Sequence, residues 1–287
     1  MAPKKKRPSS GSRTYDASAI RIKIIPARDA TPINCLLVYA RNKVGKTRLC
    51  ASAGELGKTL VIDCEKGSSS IRKSKNVDVY HLTHWEEINE IYWYLRTQDH
   101  GYEYVCIDPV TKLGNLCMEW VLASGIDPDD EEVSVEEQEN VATPDMRSWG
   151  KTAALMRRTI LRYSNLPGVF LIITAYERRR DNDEEDEDSY DFVIGPDAQP
   201  SVKGFLMGHA DIIGRLYLKA LDTDDDTAPT KVERRILFGP HEIYDAGDRS
   251  DNLPRVMRRP TIKKILDIVN QEETNGNTST TTRRRRS

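Results

Sequence analysis

Residues 40–47 read Ala-Arg-Asn-Lys-Val-Gly-Lys-Thr and directly follow an apolar run. A small residue, four variable positions and Gly-Lys-Thr are typical of a phosphate-binding loop, in which backbone N–H groups surround the phosphates of a nucleotide. The pattern predicts that Lys46 contacts the β- and γ-phosphates and that the Thr47 hydroxyl ligates Mg²⁺. The predicted nucleotide-binding residues are Ala40, Arg41, Asn42, Lys43, Val44, Gly45, Lys46, Thr47 and Arg48.

A second ligand for Mg²⁺ is expected at the end of a later apolar strand. Residues 104–108 read Tyr-Val-Cys-Ile-Asp, which puts the carboxylate of Asp108 at such an end. In phosphate-loop NTPases the loop hydroxyl and an acid of this kind hold the metal together. Thr47 and Asp108 are therefore the predicted metal ligands, with ATP and Mg²⁺ as the predicted cofactors.

ATP hydrolysis also requires a group that orients the attacking water. Glu65 lies just after the apolar residues 59–63, and in a parallel sheet ligands bind beyond the carboxyl ends of the strands. Glu65 is therefore expected to face the same crevice as Lys46 and Asp108. Asp63, two residues earlier, is the alternative.

These side chains are carried by a regular alternation of short β-branched runs and longer helical segments. The predicted strands cover residues 35–39, 59–63, 77–81, 104–108, 169–174, 212–218 and 235–238. The predicted helices cover residues 46–53, 84–96, 112–123, 148–164 and 261–269. The alternation predicts an α/β fold with a mostly parallel central sheet flanked by helices. The last two strands, separated by a polar loop, predict a late antiparallel extension.

The predicted globular domain covers residues 19–270 and lies between two charged ends. Residues 1–18 are basic and rich in Ser, and residues 271–287 end in an arginine run, so both are predicted to be disordered. Acidic loops are predicted near 127–141 and 181–191. The formal net charge of -2 hides this segregation and therefore says little about partners.

The cysteine spacing and the hydropathy exclude several classes of protein. The five cysteines form no Cys-x-x-Cys pair and no zinc-ligand spacing, which favours reduced thiols in a cytoplasmic protein. The chain lacks an apolar stretch of about 18 residues and an apolar segment behind the basic N-terminus, so neither a membrane span nor a secretion signal is predicted. A GTPase is disfavoured because the chain has no Asn-Lys-x-Asp motif.

Four stretches resemble the phage-encoded RecA-like P-loop ATPases, which include Sak-type single-strand annealing proteins, and the likeness extends over about residues 20–255. The four stretches are residues 39–47, 60–67, 104–113 and 170–177. The resemblance implies a RecA-like P-loop NTPase fold, and it implies that Glu65 rather than Asp63 polarises the water. It also implies that the last of these strands ends in a γ-phosphate-sensing residue, at Tyr176 or Glu177.

The same resemblance implies a function and partners. ATP hydrolysis would serve DNA recombination, repair or single-strand annealing in the host cytoplasm. The implied partners are single-stranded DNA, further copies of the chain and a single-strand-binding protein, with no membrane. In RecA-like filaments a basic residue near the C-terminus contacts the nucleotide of the neighbouring subunit, and here Arg249 would take that role.

One departure from the family bears on DNA binding. The segment that binds DNA in RecA begins here with three arginines, residues 178–180, and continues into an acidic run at 181–188. Carboxylates repel phosphates, since DNA affinity comes largely from Lys and Arg displacing counterions. An alternative therefore stays open, in which the chain is a nucleotide-switched accessory protein with little intrinsic turnover, such as a helicase loader or a DNA-packaging factor.

Overall fold

The fold is given by a computed structural model, which describes residue 26 and residues 33–124, 143–181, 190–221 and 231–271. The predicted basic arm at 1–18, the first acidic loop, most of the second acidic loop and nearly all of the C-terminal tail lie outside the described residues. Among the described residues, no helix combines the length and the apolar character needed to cross a bilayer.

The described strands form one sheet, and helices pack against it. The strands are β1 Cys35–Ala40, β2 Thr59–Asp63, β3 Val77–His81, β4 Tyr104–Asp108, β5 Phe170–Asp181, β6 Phe192–Pro196, β7 Ile212–Ala220, β8 Val232–Leu237, β9 Gly247–Asp248 and β10 Val256–Arg258. The helices are α1 Lys46–Ala51, α2 Glu87–Thr97, α3 Val110–Ala123, α4 Met146–Ser164, α5 Pro200–His209 and α6 Ile262–Val269. Short 3-10 helices cover Ser52–Glu55 and Ser68–Ile71.

The sheet has the order β10-β8-β7-β1-β5-β4-β2-β3, with β6 paired to β5 and β9 paired to β7. Every pairing from β7 to β3 along this order is parallel. The pairings β7–β8 and β8–β10 are antiparallel. These observations confirm the predicted α/β fold, with its mostly parallel central sheet and its late antiparallel extension.

The sheet is covered on both faces, which explains why its central strands are apolar at nearly every position. All six residues of β1 are buried. One core cluster joins the sheet to α2, α3, α4 and α5, and the other joins it to α1 and α6. Burial on both faces fixes the strand ends in place, so the loops at the carboxyl edge hold their side chains in defined positions.

One predicted boundary near the carboxyl edge is wrong. The strand expected at 169–174 continues to Asp181, and its distal half pairs antiparallel with β6. The three arginines at 178–180 therefore lie in a β-hairpin and not in a loop. Residues 177–181 of this hairpin are partly or fully exposed, so charged side chains are compatible with strand structure there. Helix α5 and strands β6, β9 and β10 were not predicted from the sequence.

Candidate active site

The predicted phosphate loop connects β1 to α1 at the carboxyl edge of the sheet. Its backbone turns through two left-handed residues, Lys43 at φ 61° and Gly45 at φ 109°. Glycine adopts this conformation without steric cost. A Cβ at Gly45 would also lie 2.6 Å from Nε of Arg234. The left-handed backbone favours glycine at position 45, and a larger residue there would also displace the Arg234 side chain.

The predicted loop residues separate into buried and exposed sets. Ala40, Val44 and Lys46 are buried, Gly45 and Thr47 are partly buried, and Arg41, Asn42, Lys43 and Arg48 are exposed. The buried members anchor the loop on the sheet. The exposed members surround it with positive charge, which suits an anionic ligand.

Lys46 is almost completely buried, with 7% of its surface exposed. Its Nζ donates hydrogen bonds of 3.3 Å to the carbonyl oxygens of Ala40 and Arg41 and lies 4.8 Å from the ring centre of Tyr176. An ammonium has three N–H donors, so these two bonds leave one for a phosphate oxygen. Burial lowers the pKa of Lys46, while the carboxylates of Asp108 and Glu65 act in the opposite direction.

Asp108 lies at the end of β4 and accepts hydrogen bonds from two hydroxyl groups. Thr47 donates to Oδ2 at 2.6 Å, and Thr174 of the neighbouring strand β5 donates to Oδ1. Burial raises the pKa of Asp108, and the two hydroxyl donors and Lys46 oppose that shift. The structure thus brings Lys46, Thr47 and Asp108 together as the sequence predicts.

The donor chemistry at Thr47 and Asp108 fits Mg²⁺. This ion prefers oxygen ligands and is commonly held by one or two protein oxygens together with phosphate oxygens and water. A hydroxyl and a carboxylate 2.6 Å apart beside the phosphate loop supply such a pair. No cluster of three or more His, Cys, Asp or Glu side chains that would suit a metal occurs among the described residues. The metal site suggested by the geometry is therefore one that a bound nucleotide completes.

Glu65 and Asp63 differ clearly in their surroundings. Asp63 is 2% exposed, and its carboxylate accepts hydrogen bonds from the backbone N–H groups of Glu65, Gly67 and Ser68. Asp63 therefore shapes the turn after β2. Glu65 is exposed on that turn. Partial desolvation of its carboxylate by the surrounding protein and the charge of Asp108 raise its pKa, and Lys46 opposes that shift. The geometry favours Glu65 as the residue free to orient a water molecule.

The two candidate sensor residues also have different environments. Tyr176 follows Thr174 on β5, and its ring contacts the Lys46 ammonium. Glu177 is bound by two arginines, Arg41 of the phosphate loop at 3.1 Å and Arg215 of β7 at 2.7 Å. Because the Glu177 carboxylate is already paired, Tyr176 is the better placed of the two. The sensing role of Tyr176 stays a prediction.

Arg249 does not join these residues. Its guanidinium pairs with Asp211 at 2.9 Å, and Asp211 also accepts hydrogen bonds from the backbone N–H groups of Asn34 and Cys35, where β1 begins. The phosphate loop follows the opposite end of β1, about 20 Å away for six residues of strand. Arg249 therefore lies outside the site of its own chain, and its proposed action on a neighbouring subunit stays a prediction.

Three functional residues were missed from the sequence. Thr174 binds Asp108, and Arg234 donates from Nε to the carbonyl of Val44 at 2.8 Å. The hydroxyl of Thr111 accepts from the backbone N–H of Tyr176 at 3.0 Å and donates to the carbonyl of Asp197 at 2.7 Å. The sequence gives only a weak signal for Thr174, which is the last residue of the otherwise apolar run at 170–174. The chain offers no local signal for the other two.

Comparison with known proteins places this site in a family. A family model described as an AAA domain matches residues 33–250, which span most of the chain and include the phosphate loop, Glu65 and Asp108. No curated protein sequence matches the chain. The chain belongs to the AAA domain family of P-loop ATPases.

Proposed function

We propose that this protein hydrolyses ATP with Mg²⁺ and couples hydrolysis to work on single-stranded DNA in recombination, repair or strand annealing, as the resemblance to phage RecA-like proteins implies. The observation that carries the proposal is the hydrogen bonding of Asp108 by Thr47 and Thr174 beside the Lys46 ammonium. An ammonium, a metal-binding hydroxyl and two carboxylates are the groups that phosphoryl transfer to water requires.

Each residue has a distinct task in this reaction. The loop N–H groups and Lys46 bind the phosphates and stabilise the charge that develops on them. Mg²⁺, held by Thr47 and Asp108, would neutralise further phosphate charge. Glu65 accepts a hydrogen bond from water and orients it toward the γ-phosphorus, where a bond forms as the bond to the oxygen of ADP breaks.

A groove beside the nucleotide site supports the DNA part of the proposal. It has a volume of about 660 Å³ and is lined by residues of α3, α4 and the β5–β6 hairpin, including Trp149, Arg178 and Arg180. Arginines bind phosphates, and an exposed indole offers a surface on which a base stacks. Thr111 and Asp197 also line the groove and bond to Tyr176. A movement of Tyr176 would therefore be transmitted to the groove through its hydrogen bonds with Thr111 and Asp197.

The accessory-protein alternative has one observation in its favour. Arg178 pairs with Asp197 at 3.3 Å, and Arg180 donates to the carbonyl of Ala198 at 2.7 Å. Both groove arginines are thus engaged within the chain, which reduces what they offer to DNA. In this alternative the nucleotide switches the groove between two states and a partner protein reads the change, with little turnover by the chain itself.

The test is an ATPase assay with and without single-stranded DNA. Wild-type protein is expected to hydrolyse ATP faster with DNA present, and Lys46→Ala is expected to lose at least about a hundredfold in rate, the scale of removing a preorganised charge-stabilising donor. Lys73→Ala, which removes an exposed lysine outside the phosphate loop, is the control and should retain activity.

The possible outcomes separate the candidates. Turnover unaffected by DNA would exclude the recombination proposal, and turnover near zero with tight ATP binding would favour the accessory protein. Equal rates for Lys46→Ala and wild type would overturn the ATPase assignment itself. Assembly into a homo-oligomer and binding of a single-strand-binding protein belong to the same proposal and are tested by sedimentation with and without each partner.

A further inference from the structure

Helix α4 carries an unusual concentration of positive charge. Over its 19 residues it contains no Asp or Glu and five basic side chains. These are Arg147, Lys151, Arg157, Arg158 and Arg162. The residue before the helix, the helix cap Asp145, accepts a hydrogen bond from the backbone N–H of Ser148.

Four of the five cations lie along one stripe of the helix. Positions 147, 151, 158 and 162 are separated by four, seven and four residues, and at 100° per residue they fall within an arc of about 60°. At 1.5 Å per residue the stripe is about 22 Å long. The side chains of Arg147, Lys151 and Arg158 are exposed, and Arg162 is half-buried. We call these four residues the α4 stripe.

The α4 stripe forms no close ion pair within the described part of the chain, although the charges of Asp145 and Arg147 act on each other at longer range. None of its four side chains lies within ion-pair distance of a carboxylate there, whereas Arg41, Arg178, Arg215, Arg235, Arg249 and Arg258 all form such pairs. Lys151 bonds to the hydroxyl of Ser124, and Arg162 bonds to the side-chain oxygen of Asn89. The carboxylates of Glu86 and Glu119 line the neighbouring hollows without pairing to the stripe. Its positive field therefore extends into solvent.

Aromatic side chains lie next to the α4 stripe. The Lys151 ammonium lies 5.3 Å from the ring centre of Trp120, and the Arg162 guanidinium lies 5.5 Å from that of Tyr92. A hollow of about 280 Å³ between α2, α3 and α4 is lined by both rings and by Arg158 and Arg162. Cations that alternate with aromatic rings are the combination that binds single strands without regard to sequence.

We propose that the α4 stripe is a second binding surface for single-stranded DNA, separate from the groove. The proposal rests on the function proposed above. Trp149, which lines the groove with Arg178 and Arg180, lies about 170° around α4 from the centre of the stripe, so the groove and the stripe are on different faces of this helix. The rings of Trp120 and Tyr92 beside these cations suit the bases of a single strand, which can stack on them, better than an acidic protein, which offers carboxylates without bases.

The test removes two stripe cations whose side chains form no hydrogen bond or ion pair with the described residues, in the double variant Arg147→Gln, Arg158→Gln. The affinity for a single-stranded DNA of about 30 nucleotides is measured at several salt concentrations. A plot of the logarithm of the association constant against the logarithm of the salt concentration has a negative slope. The slope of the variant should be shallower by about 1.4, since each phosphate contact to a single strand contributes about 0.7 and two contacts are removed. The matched control is Arg72→Gln, Lys73→Gln, which removes two exposed cations elsewhere and should leave the slope unchanged.

The outcomes distinguish this inference from the function on which it rests. If wild-type protein does not bind single-stranded DNA, the proposed function fails. If wild-type protein binds and the stripe variant shows the wild-type slope, only the α4 stripe is overturned. A stripe variant that keeps the DNA slope but loses binding to polyglutamate would instead assign the stripe to an acidic protein partner and would contradict the proposal. DNA-free ATPase activity should be the same in all three proteins, because neither pair of residues contacts the nucleotide site.

Discussion

The hydroxyl of Thr174 donates a hydrogen bond to Oδ1 of Asp108, across the adjacent parallel strands β5 and β4. With Thr47 on Oδ2, the carboxylate has a donor on each oxygen, which fixes its orientation toward the phosphate loop. Both hydroxyls also favour the ionised carboxylate, whose pKa burial would otherwise raise further. We therefore expect Thr174 to position Asp108 as the proposed metal ligand.

Replacing Thr174 by Val should weaken Mg²⁺ binding. The substitution leaves one oxygen of a buried carboxylate without its donor, and loss of such a supporting hydrogen bond typically costs about tenfold to a hundredfold in metal affinity or activity. The Mg²⁺ concentration that gives half-maximal ATPase activity should rise by that factor, and Thr174→Ser should restore it. Thr152→Val, at an equally buried threonine of α4, should show wild-type dependence on Mg²⁺. If Thr174→Val and Thr152→Val showed the same dependence of ATPase activity on Mg²⁺, Thr174 would have no role in metal binding.

Glu65→Gln should separate nucleotide binding from hydrolysis. The amide keeps the size of the side chain but is a poor acceptor for the proton of the attacking water, so ATP affinity should persist while turnover falls by about a hundredfold or more. Asp63→Asn should instead lower the free energy of unfolding, because three backbone N–H groups lose a charged acceptor. Wild-type turnover in Glu65→Gln would mean that a group other than Glu65 orients the attacking water.

The pH dependence of ATP hydrolysis provides a second test of the role proposed for Glu65. Burial and Asp108 raise the pKa of Glu65 above its ordinary 4.5. In the proposed reaction the ionised carboxylate of Glu65 orients water, so the rate should fall as the pH drops through this raised pKa. The acidic limb of the rate profile should therefore lie at a higher pH than that of an ordinary glutamate, and it should be absent from the residual activity of Glu65→Gln.

The sequence predicts the parts of this site that depend on local order. The phosphate loop is recognisable because strand, loop and helix are contiguous from Cys35 to Ala51, and Asp108 and Glu65 because each follows an apolar run. Thr174 faces Asp108 only because Ile107 and Ile173 are paired in the sheet. That register depends on the packing of α3 and α4, so no local pattern contains it.

The hairpin at the end of β5 shows a second limit of prediction from the sequence. Arg178 and its arginine neighbours have the composition of a solvated loop, and the acidic residues that follow strengthen that impression. Pairing with β6 satisfies their backbone groups, and Phe192 packs 3.9 Å from the guanidinium of Arg179. Such long-range pairing outweighs local propensity, because propensity for strands depends largely on what lies opposite.

Arg234 should set the affinity for nucleotide. Its hydrogen bond of 2.8 Å to Val44 holds the phosphate loop from the side of β8, 190 positions later in the chain. Loss of a hydrogen bond from a charged donor costs about 1.5–3 kcal/mol, so Arg234→Ala should raise the Kd of ATP and ADP about tenfold to a hundredfold. The rate at saturating ATP should change little, because Arg234 acts on the loop and not on the attacking water.

Arg235 provides the control for this experiment. It occupies the next position of β8 and is equally half-buried, but its guanidinium pairs with Glu233. Arg235→Ala should therefore leave the Kd for nucleotide unchanged, and Arg234→Lys should recover part of the affinity because an ammonium also donates to a carbonyl. Equal losses of affinity in Arg234→Ala and Arg235→Ala would mean that both act only through the stability of β8.

Glu233 should make the stability of the antiparallel extension depend on pH. Its carboxylate is 3% exposed and pairs with Arg258 at 2.8 Å, Arg235 at 2.9 Å and Arg259 at 3.3 Å, which ties β8 to β10. Hydrogen bonds from Arg258, and then from Arg235, lower the pKa of Glu233 from 4.5 to about 2. A lowered pKa means that the folded state binds fewer protons than the unfolded state, so stability rises with pH across this interval.

The stabilisation from Glu233 is therefore present above about pH 4.5 and is lost as the pH falls toward about 2. Urea unfolding of wild type and Glu233→Gln should show a lower free energy of unfolding for the variant at pH 7, and the difference should shrink steadily below pH 4.5. Asp267→Asn, in the exposed pair with Lys263, should cost less than about 0.5 kcal/mol at any pH. A difference between wild type and Glu233→Gln that stayed constant from pH 7 to pH 3 would show that Glu233 contributes through packing, and that the three arginines do not stabilise its charge.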